Sequence, residues 1–400
     1  MTRLLLAGIG SLVTNVSGRR GDLGLIADAV VAIDDARITW AGPAGDLPPE
    51  SRDSDTLDVG GRAVLPGFVD AHTHLVFAGD RAGEFGARLG GGSYEEILEQ
   101  GGGIHSTVAA TRAAAFDDLL DQSAVRAGRM LAAGTTTAEV KSGYGLTTDD
   151  EVRMLEVAAA VGEQTGLGVV RTFLGAHVPD RGSSEQEHTS LVIEEMLPAA
   201  APHAEFCDVF VDRGAFGVGS ARRILQAAEA LGFGLRLHAE QLSHTGAAAL
   251  AAELGAASAD HLDHITPDDA RALAAAGVVA VLLPGAGLSM RVPQAPARLL
   301  WDAGVTVALA TDCNPGTSYV ERMTFIVALA CLEMGLTPDE AVWAATRGGA
   351  AALRRDDLGV VRPGAPADLV VLDADSHHHI PYRPDADLVR NVIKGGRVVR

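Results

Sequence analysis

Lysine is almost missing from this chain. Lys141 and Lys394 are the only two in 400 residues, and Lys plus Arg total 32 against 52 Asp plus Glu. The resulting formal net charge of −20 repels phosphate backbones and anionic lipid, so nucleic acid and membrane are not expected partners. Cysteine is scarce too. Cys207, Cys313 and Cys331 are odd in number and lack CxxC spacing, so no disulfide framework or zinc knuckle is readable, and a reducing, cytoplasmic setting fits. No stretch reaches the ~18 unbroken apolar residues of a membrane span. Arg3 is followed by Leu4-Leu5-Leu6-Ala7-Gly8-Ile9, which is too short for a span and lacks a cleavage site. What is present is a globular composition, 47% hydrophobic and 21% charged, long enough at ~150 residues per domain for one large domain and an accessory module or for two medium domains.

Short β-type runs at 4–14, 29–33 and 37–41, separated by Gly, Pro and Asp turns, predict a small β module at the start. From residue 63 the pattern changes to apolar runs alternating with Ala- and Leu-rich amphipathic segments. Eight runs qualify as buried strands: 64–72, 136–144, 169–177, 205–212, 233–240, 258–264, 278–284 and 305–312. Helical stretches such as 117–133, 149–165 and 221–231 fall between them. Eight parallel strands with intervening helices close more naturally into a barrel than they spread into an open sheet. Two further helices, 320–334 and 338–353, precede renewed β character at 368–372 and 391–399. Neither terminal set has enough apolar surface to stand alone. The expected fold is therefore α/β, a (β/α)₈ TIM barrel over 63–355, with a composite β-sandwich built from both chain termini, 1–62 plus 356–400.

Active sites of such barrels lie at the C-terminal ends of the strands. Polar residues that end an apolar run thus carry the information. Here they are His72 and His74 on strand one, His177 on strand three, His238 on strand five, His261 on strand six and Asp312 on strand eight. His72 and His74, two apart, can face one cation as neutral imidazoles. With His238 and Asp312 the set becomes three imidazoles and a carboxylate, suited to zinc or ferrous iron with a position open for water. Such an ion activates water for hydrolysis. Asp312 is the candidate proton acceptor, His261 the candidate donor to the developing oxyanion, and Gln241 an orienting amide that cannot carry a titrating proton. The run His377-His378-His379 reads as a solvated loop.

The segment Pro66-Gly67-Phe68-Val69-Asp70-Ala71-His72-Thr73-His74, the late Asp312, and Pro363-Gly364-Ala365-Pro366-Ala367-Asp368-Leu369-Val370-Val371 resemble the amidohydrolase superfamily of metal-dependent barrel hydrolases. Within it the chain is similar over essentially its whole length to the imidazolonepropionase family. The likeness rests on His72-Thr73-His74-Leu75-Val76-Phe77-Ala78-Gly79-Asp80-Arg81, Ser93-Tyr94-Glu95-Glu96-Ile97, Gly101-Gly102-Gly103-Ile104, Lys141-Ser142-Gly143-Tyr144-Gly145-Leu146 and Thr311-Asp312-Cys313-Asn314-Pro315-Gly316-Thr317-Ser318.

That resemblance implies one Zn²⁺ or Fe ion per chain on His72, His74, His238 and Asp312, with His261 catalytic. It implies contacts to a small-molecule substrate, 4-imidazolone-5-propanoate, from Arg81, Tyr94, Tyr144, His177, Gln241, Asn314, Gly316 and Thr317. A bidentate guanidinium at Arg81 suits the substrate's propionate. The family also implies a homodimer and a mononuclear site, which leaves Lys141 a structural strand-end residue rather than a metal-bridging carbamate. Related deaminases carry glutamate at the place of Gln241, so glutamine there disfavours deamination and leaves hydrolytic opening of a ring amide. Gly90-Gly91-Gly92 and Gly101-Gly102-Gly103 are expected to hinge a lid. Another cyclic amidohydrolase, or a purine or pyrimidine deaminase, is the nearer rival; a non-catalytic scaffold is the more distant one, and the full ligand set argues against it.

Overall fold

A computed structural model describes residues 3–51, 54–90 and 102–400. Tyr94 and most of the glycine-bracketed segment expected to form a lid lie outside the described residues. The chain opens with β1 (Arg3–Leu12), β2 (Ile26–Asp34), β3 (Arg37–Pro43), β4 (Asp55–Asp58) and β5 (Ala63–Pro66). The barrel strands follow: β6 (Phe68–Asp70), β7 (Thr135–Lys141), β8 (Gly168–Ala176), β9 (Phe206–Val211), β10 (Gly234–Ala239), β11 (Ser258–His261), β12 (Val279–Leu282) and β13 (Val307–Leu309). The chain ends with β14 (Leu369–Leu372), β15 (Val389–Lys394) and β16 (Arg397–Val398).

Strands β6 to β13 pair in chain order, all parallel, with buried residues on both faces, as parallel sheets flanked by helices require. The ring closes beyond the strand ends. Asp312 N donates to His72 O at 3.0 Å, His74 N donates to Cys313 O at 3.0 Å, and Thr73 and Cys313 form a parallel bridge. Asp70 reinforces this seam by accepting from Thr311 N at 3.0 Å and Thr311 Oγ1 at 2.6 Å.

The terminal strands form one sheet, ordered β16-β15-β14-β5-β1-β2-β3, with β4 pairing β1. It curls on itself: Ile33 of β2 and Ile393 of β15 share a buried core with Leu6, Val64 and Leu369, and Ala367 N reaches Ala36 O at 2.9 Å. Both termini are needed to fill that core, as the sequence implied.

The run read as a single strand, 64–72, is two strands, and this corrects the boundary drawn at residue 63. Ala63–Pro66 pairs with β1 and β14 in the terminal sheet, whereas Phe68–Asp70 pairs with β7 in the barrel. The chain changes sheets at Gly67. A Cβ there would fall 2.2 Å from Thr136 Oγ1, so only glycine permits the crossing. His377 also departs from expectation. It is buried, at 2% exposure, and it precedes a short helix, His379–Tyr382, rather than sitting in a solvated loop.

Candidate metal centre and substrate pocket

Buried carboxylates pin the loops that leave the strand ends. After β7, the Glu151 carboxylate accepts from Gly143 N, Gly145 N and Leu146 N at 2.7 to 2.9 Å, which fixes the turn presenting Tyr144. After β10, Glu240 accepts from Gly246 N at 3.0 Å and Ala248 N at 3.1 Å, while Asp212 takes Leu242 N at 2.7 Å and Ser243 Oγ at 2.8 Å. Those contacts position Gln241. Glu240, His261 and Asp312 all have φ between 52 and 74°, a left-handed backbone that costs free energy in non-glycine residues and clusters at functional sites.

His72, His74 and His238 bring one ring nitrogen each to within 4.8 Å of one another, and all three are buried. Nε2 of His74 lies 3.4 Å from Nε2 of His238, and Asp312 Oδ1 stands 3.6 Å from His72 Nε2 and 3.7 Å from His74 Nε2. Nε2 of His72 is buried with no hydrogen-bond partner. An orphaned imidazole nitrogen facing two others and a carboxylate is costly in a protein interior unless a cation joins them. The donor set therefore fits a divalent ion. Burial, reinforced by the neighbouring imidazoles and Lys141, holds His72 and His74 well below the usual histidine range, in the neutral form that binds metal. Burial likewise pushes the Asp312 carboxyl well up, a cost that a cation bound beside it would offset.

Behind the ligands lies an ionic network. His72 Nδ1 meets Asp260 Oδ2 at 2.6 Å, and His238 Nδ1 stands 3.1 Å from Asp208 Oδ2. Lys141 Nζ donates to Glu139 Oε1 at 2.6 Å and Asp208 Oδ2 at 2.7 Å, with Asp260 Oδ2 3.7 Å away. Arg236 donates to Asp260 Oδ2 at 3.3 Å and Ala71 O at 2.6 Å. Two cations and three carboxylates thus sit fully buried under the site. Burial works against the Lys141 ammonium, yet Asp208 and Glu139, both hydrogen-bonded to it, raise its pKa above the ordinary value. Burial would raise Asp208, but His238 and Lys141 hold it well below the usual carboxylate range. His72 thereby acquires a carboxylate that fixes its tautomer and orientation, and Asp208 stands beside His238; His74 Nδ1 has no such partner. Glu139, Asp208 and Asp260 were missed in the sequence; their signal is an acidic side chain inside a parallel strand, where it must be paired.

A cavity of about 480 Å³ opens over the ligands. It is lined by His74, His238, His261 and Asp312 together with every described residue expected to touch substrate: Arg81, Tyr144, His177, Gln241, Asn314, Gly316 and Thr317. The His261 ring lies 5.3 Å from that of His238, and His177 stacks on His74 at 5.0 Å. His177 Nδ1 meets Gly143 O at 3.0 Å, and burial pulls its pKa down to about 3. Arg81 donates through Nε to Glu84 Oε2 at 2.7 Å. A Cβ on Gly316 would fall 2.3 Å from Arg81 Nη1, so the guanidinium is seated against bare backbone. Asn314 Oδ1 accepts from Gly316 N and Thr317 N, both at 2.8 Å, and its Nδ2 donates to Asp312 O at 2.7 Å, which makes the loop rigid. Sequence reasoning missed Arg88, Phe210, Met290 and Val292, which also line the wall.

The amidohydrolase family profile matches residues 63–399. The chain is 53% identical over 400 residues to the imidazolonepropionase of Salinispora arenicola, covering 99% of this chain and 98% of that one. It is 50% identical over 403 residues to the imidazolonepropionase of Streptomyces griseus, covering 100% of both. Among solved structures, a zinc-bound adenosine deaminase of Xanthomonas campestris superposes with TM-score 0.73 at 21% identity, over 99% of this chain and 92% of the other. A variant atrazine chlorohydrolase of Arthrobacter aurescens, complexed with zinc and atraton, gives TM-score 0.71 at 19% identity, over 99% and 95%. These two support the fold alone.

Proposed function

Since the chain belongs to the amidohydrolase family, and within it to the imidazolonepropionases, we propose that this pocket opens the ring of 4-imidazolone-5-propanoate. The reaction is hydrolysis of the ring C–N amide bond to N-formimidoyl-L-glutamate, a step of L-histidine degradation. The observation that carries the assignment to these residues is the convergence of the His72, His74 and His238 imidazoles with the Asp312 carboxylate at the base of a pocket that Arg81 also lines.

His72, His74, His238 and Asp312 would hold one zinc or iron ion, since a mixed nitrogen and oxygen set suits both. Bound there, such an ion lowers the pKa of a coordinated water toward ~7 and polarises a carbonyl oxygen. Asp312 takes the proton of the attacking water and passes it to the ring nitrogen that leaves. His261, kept neutral by burial, donates a hydrogen bond to the oxygen that gains charge. Arg81 has its Nε engaged by Glu84, which leaves the terminal nitrogens to pair with the propionate. Gln241 hydrogen-bonds the ring but offers no titrating proton, which favours ring opening over deamination. The same family reading carries a homodimer working in the cytoplasm, where Cys207, Cys313 and Cys331 remain free thiols.

The test uses substrate generated freshly from urocanate. The expected result is N-formimidoyl-L-glutamate without ammonia, with turnover lost on chelation and restored by Zn²⁺ or Fe²⁺. Ammonia release, or turnover indifferent to chelation, would overturn the reading.

A further inference from the structure

Away from the barrel mouth, a second group of side chains has the geometry of a cation site. Asp339 opens the helix Pro338–Trp343, in a turn held by Pro338 and by reciprocal hydrogen bonds between Thr337 and Glu340. His377 and His378 stand before the helix His379–Tyr382, held by Ile380 N donating to His377 O at 3.0 Å and His378 N donating to Ser376 Oγ at 3.2 Å. Both imidazoles aim Nε2 at one carboxylate oxygen, Asp339 Oδ1, from 2.6 Å and 3.3 Å. The rings lie 4.4 Å apart, and one donor atom from each of the three residues falls within 4.8 Å of the others.

We propose that His377, His378 and Asp339 form a second, peripheral site for a divalent cation of the zinc class. Two imidazole nitrogens and one carboxylate oxygen are three of the four ligands of a tetrahedral zinc site, with water as the fourth. The arrangement is part fixed and part open. His377 is 2% exposed, so packing sets one ligand in advance, while the His378 and Asp339 side chains, 63% and 44% exposed, admit an ion from solvent. The chain's net charge of −20 raises the local concentration of cations around it. The site joins separate parts of the chain: Asp339 belongs to the helices that follow the barrel strands, and the histidines belong to the segment running into β15. An ion there ties the C-terminal strands to the barrel and stabilises the native state by mass action. Two imidazoles sharing one oxygen would also form a hydrogen-bonded cluster without any ion, and stoichiometry separates the two cases.

The experiment starts from enzyme carrying one equivalent of zinc at the barrel mouth and titrates Zn²⁺ in competition with a chromophoric chelator. The expected result is a second equivalent in the wild type and none in His378→Ala or Asp339→Asn. Both substitutions lie on exposed side chains outside the pocket, so turnover should stay unchanged and report that each variant is folded. The thermal midpoint should rise with added zinc in the wild type only. Failure of the wild type to take up any zinc beyond the starting equivalent, or a second equivalent that survives both substitutions, would overturn the proposal.

Discussion

Replacing Lys141 by methionine tests whether the ionic layer beneath the ligands holds them in place. In the wild type, Nζ lies 2.6 Å from Glu139 Oε1, 2.7 Å from Asp208 Oδ2 and 3.7 Å from Asp260 Oδ2, all at zero exposure. Methionine fills a similar volume, so the change is mainly one of charge. It leaves three buried carboxylates with Arg236 as their remaining cation. Breaking a buried pair by removing one partner costs about 3–5 kcal/mol, because the other partner stays desolvated and unpaired. Asp208 then has reason to take up a proton, which weakens its hold on His238. Loss of such an outer partner typically lowers metal affinity by about 10–100-fold. Urea denaturation of the metal-free protein reads the first effect, and zinc competition reads the second. Adding Asp208→Asn to the methionine variant removes the stranded charge and should restore part of the stability. A stability change below about 1 kcal/mol together with unaltered zinc affinity would refute the reasoning.

Three further outcomes are expected. Gly316→Ala should displace the Arg81 guanidinium, whose Nη1 lies 2.3 Å from the new Cβ; KM should rise about tenfold, the equivalent of ~1.4 kcal/mol, with metal content intact. An unchanged KM would separate Arg81 from substrate binding. Asp312→Ala should abolish turnover while circular dichroism and the urea midpoint stay near wild type, and retained activity would remove Asp312 from the chemistry. Burial lifts the Asp263 carboxyl to about 7, against a lowering hydrogen bond from the Ala295 backbone. Its native proton is thus held more tightly than in the unfolded chain, so its contribution to stability is full below pH ~4 and declines as pH rises toward 7. Asp263→Asn should unfold at higher urea than wild type at pH 8, with the gap shrinking by pH 5. Equal midpoints at pH 8 would contradict it.

Much of this was legible in the amino-acid order because the barrel obeys a simple rule. Buried runs such as Val279–Leu282 and Val307–Leu309 are continuous and apolar, and polar residues at or just past several of the strand ends face the mouth. His238, His261 and Asp312 follow that rule, and so they could be grouped before any coordinates. The passage from 63 to 72 could not be divided, because both halves are apolar and only Gly67 marks the change of partner sheet. β4, Asp-Thr-Leu-Asp, is short and mostly exposed, and its pairing with β1 leaves no periodic trace. Carboxylates such as Asp208 and Asp260 escaped because their partners are far away in sequence: Lys141 and Asp208 are 67 residues apart, His72 and Asp260 188.

The seam of the ring carries a further consequence. His72 and His74 stand on one lip and Asp312 on the other, and the backbone bonds that shut the barrel run between those same segments. During synthesis, a nascent chain that has not yet reached residue 312 has neither a closed hoop nor the carboxylate proposed to complete the metal site. The enzyme cannot become competent piecemeal: the clasp that finishes the architecture also finishes the reaction centre.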